Sequence, residues 1–517
     1  MRNLIPAYRS KEDISEMNIL ARIEQTAREH GDRLAFHSRF GEITYRDLWE
    51  RSGRMAAWIQ LLQDDCRKPI VVYGHKSPYM LVSFLACVRS GRAYCPVDIS
   101  MPPDRVRQII EAADNDLVIA TEPLELEDRL LISERKLHDV CQYSQTIDPS
   151  CQCSGTDIFY IIFTSGSTGN PKGVQISTDN LNHYLEWSVT LPARSEGSTF
   201  LNQAPYSFDL SVMDTYTALA SGGTIWATDK PLQQNTRELM PYLADSHINC
   251  WVSTPSFAAM CLADPEFNGS LLPDLHTFLF CGETLTAYTA EQLMIRFPQA
   301  KVINSYGPTE ATVAVSAVEI TEQMVKSGLS LPIGYPQPGI KALIRREDGS
   351  EAKPGETGEI ILAGTTVSPG YFQDPERTAA AFTKTDVNGT LLPAYHTGDA
   401  GWLAEDGLLY YEGRIDLQVK YHGYRIELGD IESNLMQITG IHKAVVVPKW
   451  EDSAIRHLAA FVVAPEYEGN YADRKWIREK LKERIPAYMV PKKIIFTNDI
   501  PMTNNGKADR KSLEQSV

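Results

Sequence analysis

Ten residues from Thr164 to Gly173 (Thr-Ser-Gly-Ser-Thr-Gly-Asn-Pro-Lys-Gly) hold three glycines, four hydroxyls and one lysine. Glycines let backbone N–H groups converge on an anion, hydroxyls add donors, and lysine adds a mobile positive charge. This is the makeup of a phosphate cradle, and equally of a flexible Ser/Gly turn. It is not a Walker A loop, because Pro171 precedes the lysine and Gly173 follows it. Downstream lie four more polar clusters: Asn304-Ser-Tyr-Gly-Pro-Thr-Glu310, Tyr395-His-Thr-Gly-Asp399, Gly413-Arg-Ile-Asp416 running on to Lys420–Leu428, and Asn505-Gly-Lys-Ala-Asp509. Glu310 has the hard carboxylate that magnesium prefers beside phosphate oxygens. Tyr306 presents a ring face, and Asp209 is a carboxylate in an otherwise apolar stretch.

These residues need elements to hold them. Phe159–Phe163 reads as a strand buried on both faces, delivering the chain into the glycine-rich loop. Before it, the sequence predicts a helix over 18–30, a hairpin at 34–45, a helix over 48–62, and strands at 69–73, 93–97 and 117–121 alternating with helices at 79–89 and 104–112. Such alternation implies an α/β domain with a largely parallel sheet, whose ligands bind beyond the carboxyl ends of the strands. Further strands are expected at 200–204, 223–227, 250–253, 277–280 and 301–304, with a helix at 211–220. Residues 340–345, 358–363 and 408–411 read instead as antiparallel strands between Asp-Gly turns, a separate β-rich subdomain. The last hundred or so residues return to an α/β texture, with strands at 444–448, 458–463 and 494–496 and a helix at 474–485.

Composition narrows the classes. At 517 residues the chain exceeds one ordinary core. A net charge of −16 argues against nucleic acid as a main partner. No apolar run reaches the ~18–20 residues of a membrane span; Met80–Val88 stops at Arg89. The N-terminal residues lack a signal-peptide apolar core. Nine cysteines, with no zinc-site spacing, read as reduced thiols of a cytoplasmic protein.

Taken together and in this order, the five clusters resemble the adenylate-forming superfamily of acyl-CoA synthetases, luciferases and peptide-synthetase adenylation domains. The likeness covers nearly the whole chain. It implies a large N-terminal domain (1–415) of parallel α/β subdomains plus a small β-rich one. A small, mobile α+β C-terminal domain (416–517) comes after it. Phe208-Asp-Leu-Ser-Val212 resembles the amino-acid branch, and the surroundings of Asp209, Thr254-Pro-Ser-Phe257 and Phe280-Cys-Gly-Glu283 resemble members that activate D-alanine and load it onto a separate phosphopantetheinyl carrier, opening teichoic acid D-alanylation.

The resemblance also implies roles for individual residues. Thr164, Ser165, Ser167, Thr168 and Lys172 would hold the ATP phosphates, and Glu310 the Mg²⁺. Asn304, Ser305, Tyr306, Gly307, Pro308 and Thr309 would surround adenine. Asp399, Tyr410, Tyr411, Glu412, Gly413 and Arg414 would line the ribose. Asp209 would take the substrate ammonium, with Cys281 and Val313 (and Leu210, Met213, Ser305 and Ala314) around its side chain. Lys507 would bridge carboxylate and α-phosphate, Asp416 would be the hinge, and the 420–425 loop would enter the site when Lys507 leaves. An enzyme for L-alanine, glycine or serine, a short-chain acyl-CoA synthetase, and a non-catalytic binding protein remain as alternatives.

Overall fold

A computed structural model describes residues 18–62, 67–126, 129–142, 147–164, 171–194, 196–415, 418–421, 423–451, 454–502 and 508–517. Two large sheets dominate. One has seven strands, with parallel pairing among the five strands Ile70–Gly74, Tyr94–Asp98, Leu117–Ala120, Leu130–Ile132 and Ile158–Thr164. The other has nine, and its central strands Thr199–Asn202, Cys250–Ser253, Thr277–Phe280 and Lys301–Tyr306 run parallel. The parallel α/β expectation is borne out.

Helices Pro78–Arg89 and Leu210–Ala220 lie between these sheets within one shared core. Every residue of Leu210–Ala220 is buried, and so is all of Pro78–Arg89 except Tyr79. Such helices must be apolar on all sides, which explains the Met80–Val88 run. Ser77 caps the first of them, its side chain accepting from the Tyr79 N–H, and Pro78 at the first position fixes the entry. Among the described residues, no helix is long and apolar enough to cross a membrane.

The β-rich part is a five-stranded antiparallel sheet with its own apolar cluster. Its longest strand, Thr390–Leu403, carries the Tyr395–Asp399 cluster. Beyond residue 415, a hairpin of Gln418–Tyr421 and Tyr424–Glu427 precedes a helix, Leu428–Met436, and a three-stranded sheet. These share a separate core. A buried ion pair, Arg105 Nη2 to Asp430 Oδ2 at 3.4 Å, ties this last part to the first.

Two strands are not evident from the sequence pattern. Lys172–Ser177 pairs antiparallel with Ile158–Thr164, placing Lys172 directly opposite Thr164. The glycine-rich loop thus joins two antiparallel strands. Thr390–Leu403 is masked because Pro393, Gly398 and Gly401 break its alternation.

Backbone freedom matters at Gly334, where φ is +107° and a Cβ would stand 2.2 Å from the Ala317 carbonyl carbon. Gly334→Ala therefore meets both a disfavoured conformation and an immovable neighbour. It should lose more than about 2 kcal/mol of stability, read as a lower midpoint in thermal or urea unfolding.

Candidate active site

The carboxyl ends of the parallel strands converge on one cleft, partly open to solvent. After strand Thr199–Asn202 the chain reaches Phe208, Asp209 and Leu210. After Thr277–Phe280 it reaches Cys281 and Gly282, and after Lys301–Tyr306 it reaches Gly307, Pro308 and Thr309. All of them line the cleft, as do Val313, Asp399 and Arg414.

Glu310 is fully buried and surrounded by donors. Its Oε1 accepts from the Tyr371 hydroxyl at 2.9 Å and lies 3.4 Å from Lys172 Nζ; its Oε2 accepts from Arg425 Nη1 at 2.5 Å. Burial works to raise its pKa, but the Arg425 and Lys172 charges outweigh that and hold it well below the carboxylate range. Burial and the nearby Arg425 lower the pKa of Lys172. The Thr164 hydroxyl, at the strand end facing Lys172, is buried with no hydrogen-bond partner among the described residues.

Asp209 is the opposite case. It is buried, makes no ion pair among the described residues, and burial pushes its pKa up to about 6 against a hydrogen bond from Thr309. Cys281 is buried beside it, its Sγ 3.8 Å from the Val313 carbonyl oxygen. Thr312 and Val313 both adopt left-handed backbone, φ +61° and +69°. A β-branched residue there stores ~1–3 kcal/mol of strain, held in place by its surroundings. The close approach explains Gly307, whose Cβ would stand 2.5 Å from Ala314 Cα.

Asp399 accepts from the Tyr306 hydroxyl at 2.5 Å and from Arg414 Nη1 at 2.8 Å, one on each oxygen. Each oxygen keeps a second lone pair. Tyr411 packs near Tyr306, with ring centroids 6.2 Å apart. The side chains of Tyr410 and Glu412, both expected at the ribose, engage other residues. Tyr410 stacks on Trp402 at 4.1 Å, and Glu412 is exposed and accepts from the Thr357 hydroxyl. Strand alternation sends side chains to opposite faces, so a run of neighbours cannot all point into the cleft. Ser305 and Asn304 spend side-chain bonds on the Phe280 and Pro332 carbonyls, bracing the strand ends.

From the C-terminal part, Lys420, Gly423 and Arg425 enter the cleft. The Lys420 ammonium sits 5.3 Å from the centroid of the Tyr306 ring. Arg425 also donates to the Tyr395 hydroxyl at 3.3 Å and to Gln418 Oε1 at 2.6 Å. Sequence reasoning misses Tyr371 and Gln418, which stand at no telling spacing, and gives no role to Glu427 within the Lys420–Leu428 cluster. Ser165, Ser167, Thr168, Asp416 and Lys507 lie outside the described residues.

With this geometry in view, comparisons place the chain. The AMP-binding enzyme family matches residues 23–372, and the AMP-binding enzyme C-terminal domain matches 430–507. A D-alanine--D-alanyl carrier protein ligase from Bacillus cereus (strain B4264) is 45% identical over 507 residues, 97% of this chain and 100% of that relative. One from Bacillus thuringiensis (strain Al Hakam) matches to the same extent. Among solved structures, an NRPS protein containing adenylation and PCP domains superposes with a TM-score of 0.84 at 25% identity, covering 98% of this chain and 85% of that one. A Vibrio cholerae adenylation domain in complex with glycyl-adenosine-5'-phosphate shares the fold, with a TM-score of 0.80 at 23% identity over 100% and 99% of the two chains. The chain belongs to the AMP-binding enzyme family of adenylate-forming ligases.

Proposed function

We propose that this enzyme activates D-alanine with ATP and transfers it to the phosphopantetheine thiol of a separate carrier protein in the cytoplasm, supplying teichoic acid D-alanylation. The observation that carries an amino-acid substrate is Asp209: a buried carboxylate facing the cleft, with no cationic side chain paired to it among the described residues. An acyl chain would leave that charge without a partner, whereas an ammonium completes it. The full-length relatives supply the choice of D-alanine and of the carrier.

In the first half-reaction the amino-acid carboxylate attacks the α-phosphorus of ATP, forming aminoacyl adenylate and releasing pyrophosphate. In the second, the carrier thiolate attacks the acyl carbon and AMP leaves. Positioning and charge stabilisation carry such chemistry. Lys172 and the Thr164 hydroxyl, unpartnered among the described residues, fit phosphate oxygens, and Ser165, Ser167 and Thr168 join them. Asn304 to Thr309 surround the adenine, and Asp399, Tyr411, Gly413 and Arg414 the ribose. Cys281 and Val313 close the space around the substrate methyl.

For Mg²⁺ the donor set is one hard carboxylate, Glu310, to which phosphate oxygens add the rest; this suits magnesium, which keeps few protein ligands. Among the described residues no group of three His, Cys, Asp or Glu forms a cage. The ion would offset phosphate charge. Lys507 stabilises the reacting carboxylate and α-phosphate during adenylation. The chain divides at 415/416, and Asp416 is the pivot by which the C-terminal domain exchanges Lys507 for the 420–425 hairpin. The presence of Lys420 and Arg425 in the cleft supports an arrangement suited to transfer.

The deciding assay is amino-acid-dependent pyrophosphate exchange with D-alanine, L-alanine, glycine, D-serine and propionate. D-alanine should give the highest kcat/KM and propionate none; an L-amino acid leading the series would contradict the assignment.

Asp209 links function to stability. Its folded pKa of about 6 lies above its value in the unfolded chain, near 4. Folding is therefore penalised as pH rises from about 4, and the penalty is complete above about 6. Asp209→Asn should stabilise the protein by about 3 kcal/mol at pH 8 and by almost nothing at pH 4, while amino-acid activation collapses. Unfolding midpoints at the two pH values check this.

Lys507→Ala should abolish exchange, with a loss of ~10²–10³-fold, yet still transfer from synthetic D-alanyl adenylate to the holo-carrier. Equal loss in both assays would refute its confinement to the first half-reaction.

A further inference from the structure

Lys76 is fully buried just beyond strand Ile70–Gly74, at the carboxyl end of the seven-stranded sheet, and it lines no part of the cleft. Its ammonium reaches across to the other large sheet. Nζ donates to Asn202 Oδ1 and to the Ala204 carbonyl oxygen, and it stands 4.5 Å from the centroid of the Tyr206 ring. An ammonium has only donors to offer, and two oxygens with a ring face suit it. The three partners are alternate residues of one segment, which leaves strand Thr199–Asn202 and runs on to Asp209. Among the described residues the buried Ala204 carbonyl has no other donor.

The chain beyond Asp209 is tied to the same point. Asn202 Nδ2 donates to Asp214 Oδ1 at 2.5 Å, and Asp214 belongs to the helix Leu210–Ala220, which starts directly after Asp209. Lys76, Asn202 and Asp214 thus make a line of cation, amide and carboxylate, all fully buried. Burial alone would drive Lys76 and Asp214 toward their neutral forms, and each one's charge opposes this in the other.

Under the proposed function, on which this inference rests, Asp209 must meet a substrate ammonium at a fixed place. We propose that Lys76 is a positioning residue for amino-acid binding. Its ammonium gathers the 202–206 segment around itself and, through Asn202, holds the helix that carries Asp214. Asp209, between these two fixed points, is thereby kept facing the cleft. The same arrangement explains why this cation does not neutralise Asp209. Asn202, Ala204 and Tyr206 occupy it, and the carboxylate is left for the ligand. Without Lys76 a buried carbonyl and a buried carboxylate would each lose their compensation, and the segment would have to rearrange to recover it.

The test is pyrophosphate exchange by the full-length protein, with D-alanine and ATP varied separately. Lys76→Met keeps a long unbranched side chain without charge or donor. It should raise KM for D-alanine by roughly ten- to hundredfold, as when a binding group is misplaced by about an ångström, and leave KM for ATP within about twofold. Lys76→Gln, whose amide can still donate to one of the two oxygens, should fall between Lys76→Met and wild type. A double-mutant cycle asks whether Lys76 acts through Asp209. Its readout is the calorimetric Kd of a non-hydrolysable D-alanyl adenylate analogue, to which the nucleotide half still contributes. In an Asp209→Asn background, Lys76→Met should weaken binding by less than about threefold, because the group being positioned is gone. Equal losses for D-alanine and ATP, or additive effects in the cycle, would overturn the proposal. So would a wild-type KM for D-alanine in folded Lys76→Met; should that variant fail to fold, Lys76→Gln decides by the same criteria. Asp209→Asn alone separates the two levels. If it spares the affinity for the analogue, the reading of Asp209 falls and the proposal with it. If it weakens that affinity while Lys76→Met does not, only the proposal falls.

Discussion

The carboxylate of Glu310 is sealed from water between Lys172 on one sheet and Arg425 on the C-terminal hairpin. A charge so placed is tolerable only while cations neutralise it, and removing one partner of such a pair ordinarily costs ~3–5 kcal/mol. Three separate parts of the chain are thereby required at one point. Lys172 is held by a strand pairing with Ile158–Thr164. Glu310 lies just past a strand of the other large sheet, and Arg425 arrives from beyond residue 415. Tyr371 and Tyr395 complete the shell with hydroxyls. The cleft exists where it does because these charges must meet.

Asp209 shows how the same burial gives the opposite outcome when no cation among the described residues pairs with the group. Glu310 is pulled far below the carboxylate range, while burial carries Asp209 up to about 6. Two carboxylates whose environments push them apart divide the labour of a site. Glu310 is a permanent anion paired with the Arg425 guanidinium, whereas Asp209, under the proposed function, gains its partner when substrate arrives. The stability withheld at Asp209 is available as binding energy for an ammonium. The backbone strain at Thr312 and Val313 belongs to the same logic, since it sets the Val313 carbonyl beside Cys281 at the wall of that pocket.

Much of this is legible in the residues, for identifiable reasons. Strands such as Ile158–Thr164 and Cys250–Ser253 are buried on both faces, and a short uninterrupted apolar run betrays them. The Asn304–Glu310 cluster runs off the end of Lys301–Tyr306, and the Tyr395–Asp399 cluster lies within Thr390–Leu403; both stand out as polar groups buried beside the cleft. The features hidden from the sequence are long-range. Tyr371 and Gln418 carry no local pattern; their hydroxyl and amide matter only because a distant segment folds onto them. Glu427 lies within the Lys420–Leu428 cluster but is given no role there, and only the ladder with Gln418 turns it toward Lys172. Tyr410 and Glu412 join the expected ribose site by adjacency to Tyr411 and Gly413, which strand alternation does not respect.

The central claim is that a buried, unpaired Asp209 selects an amino acid and that Cys281 and Val313 confine its side chain. A crystal structure of the enzyme with a non-hydrolysable D-alanyl adenylate analogue measures this directly. The account predicts the substrate ammonium within hydrogen-bonding distance of an Asp209 carboxylate oxygen, and the methyl group against Cys281 Sγ and the Val313 backbone. An ammonium bound elsewhere in the cleft, with Asp209 still unpaired, would contradict it.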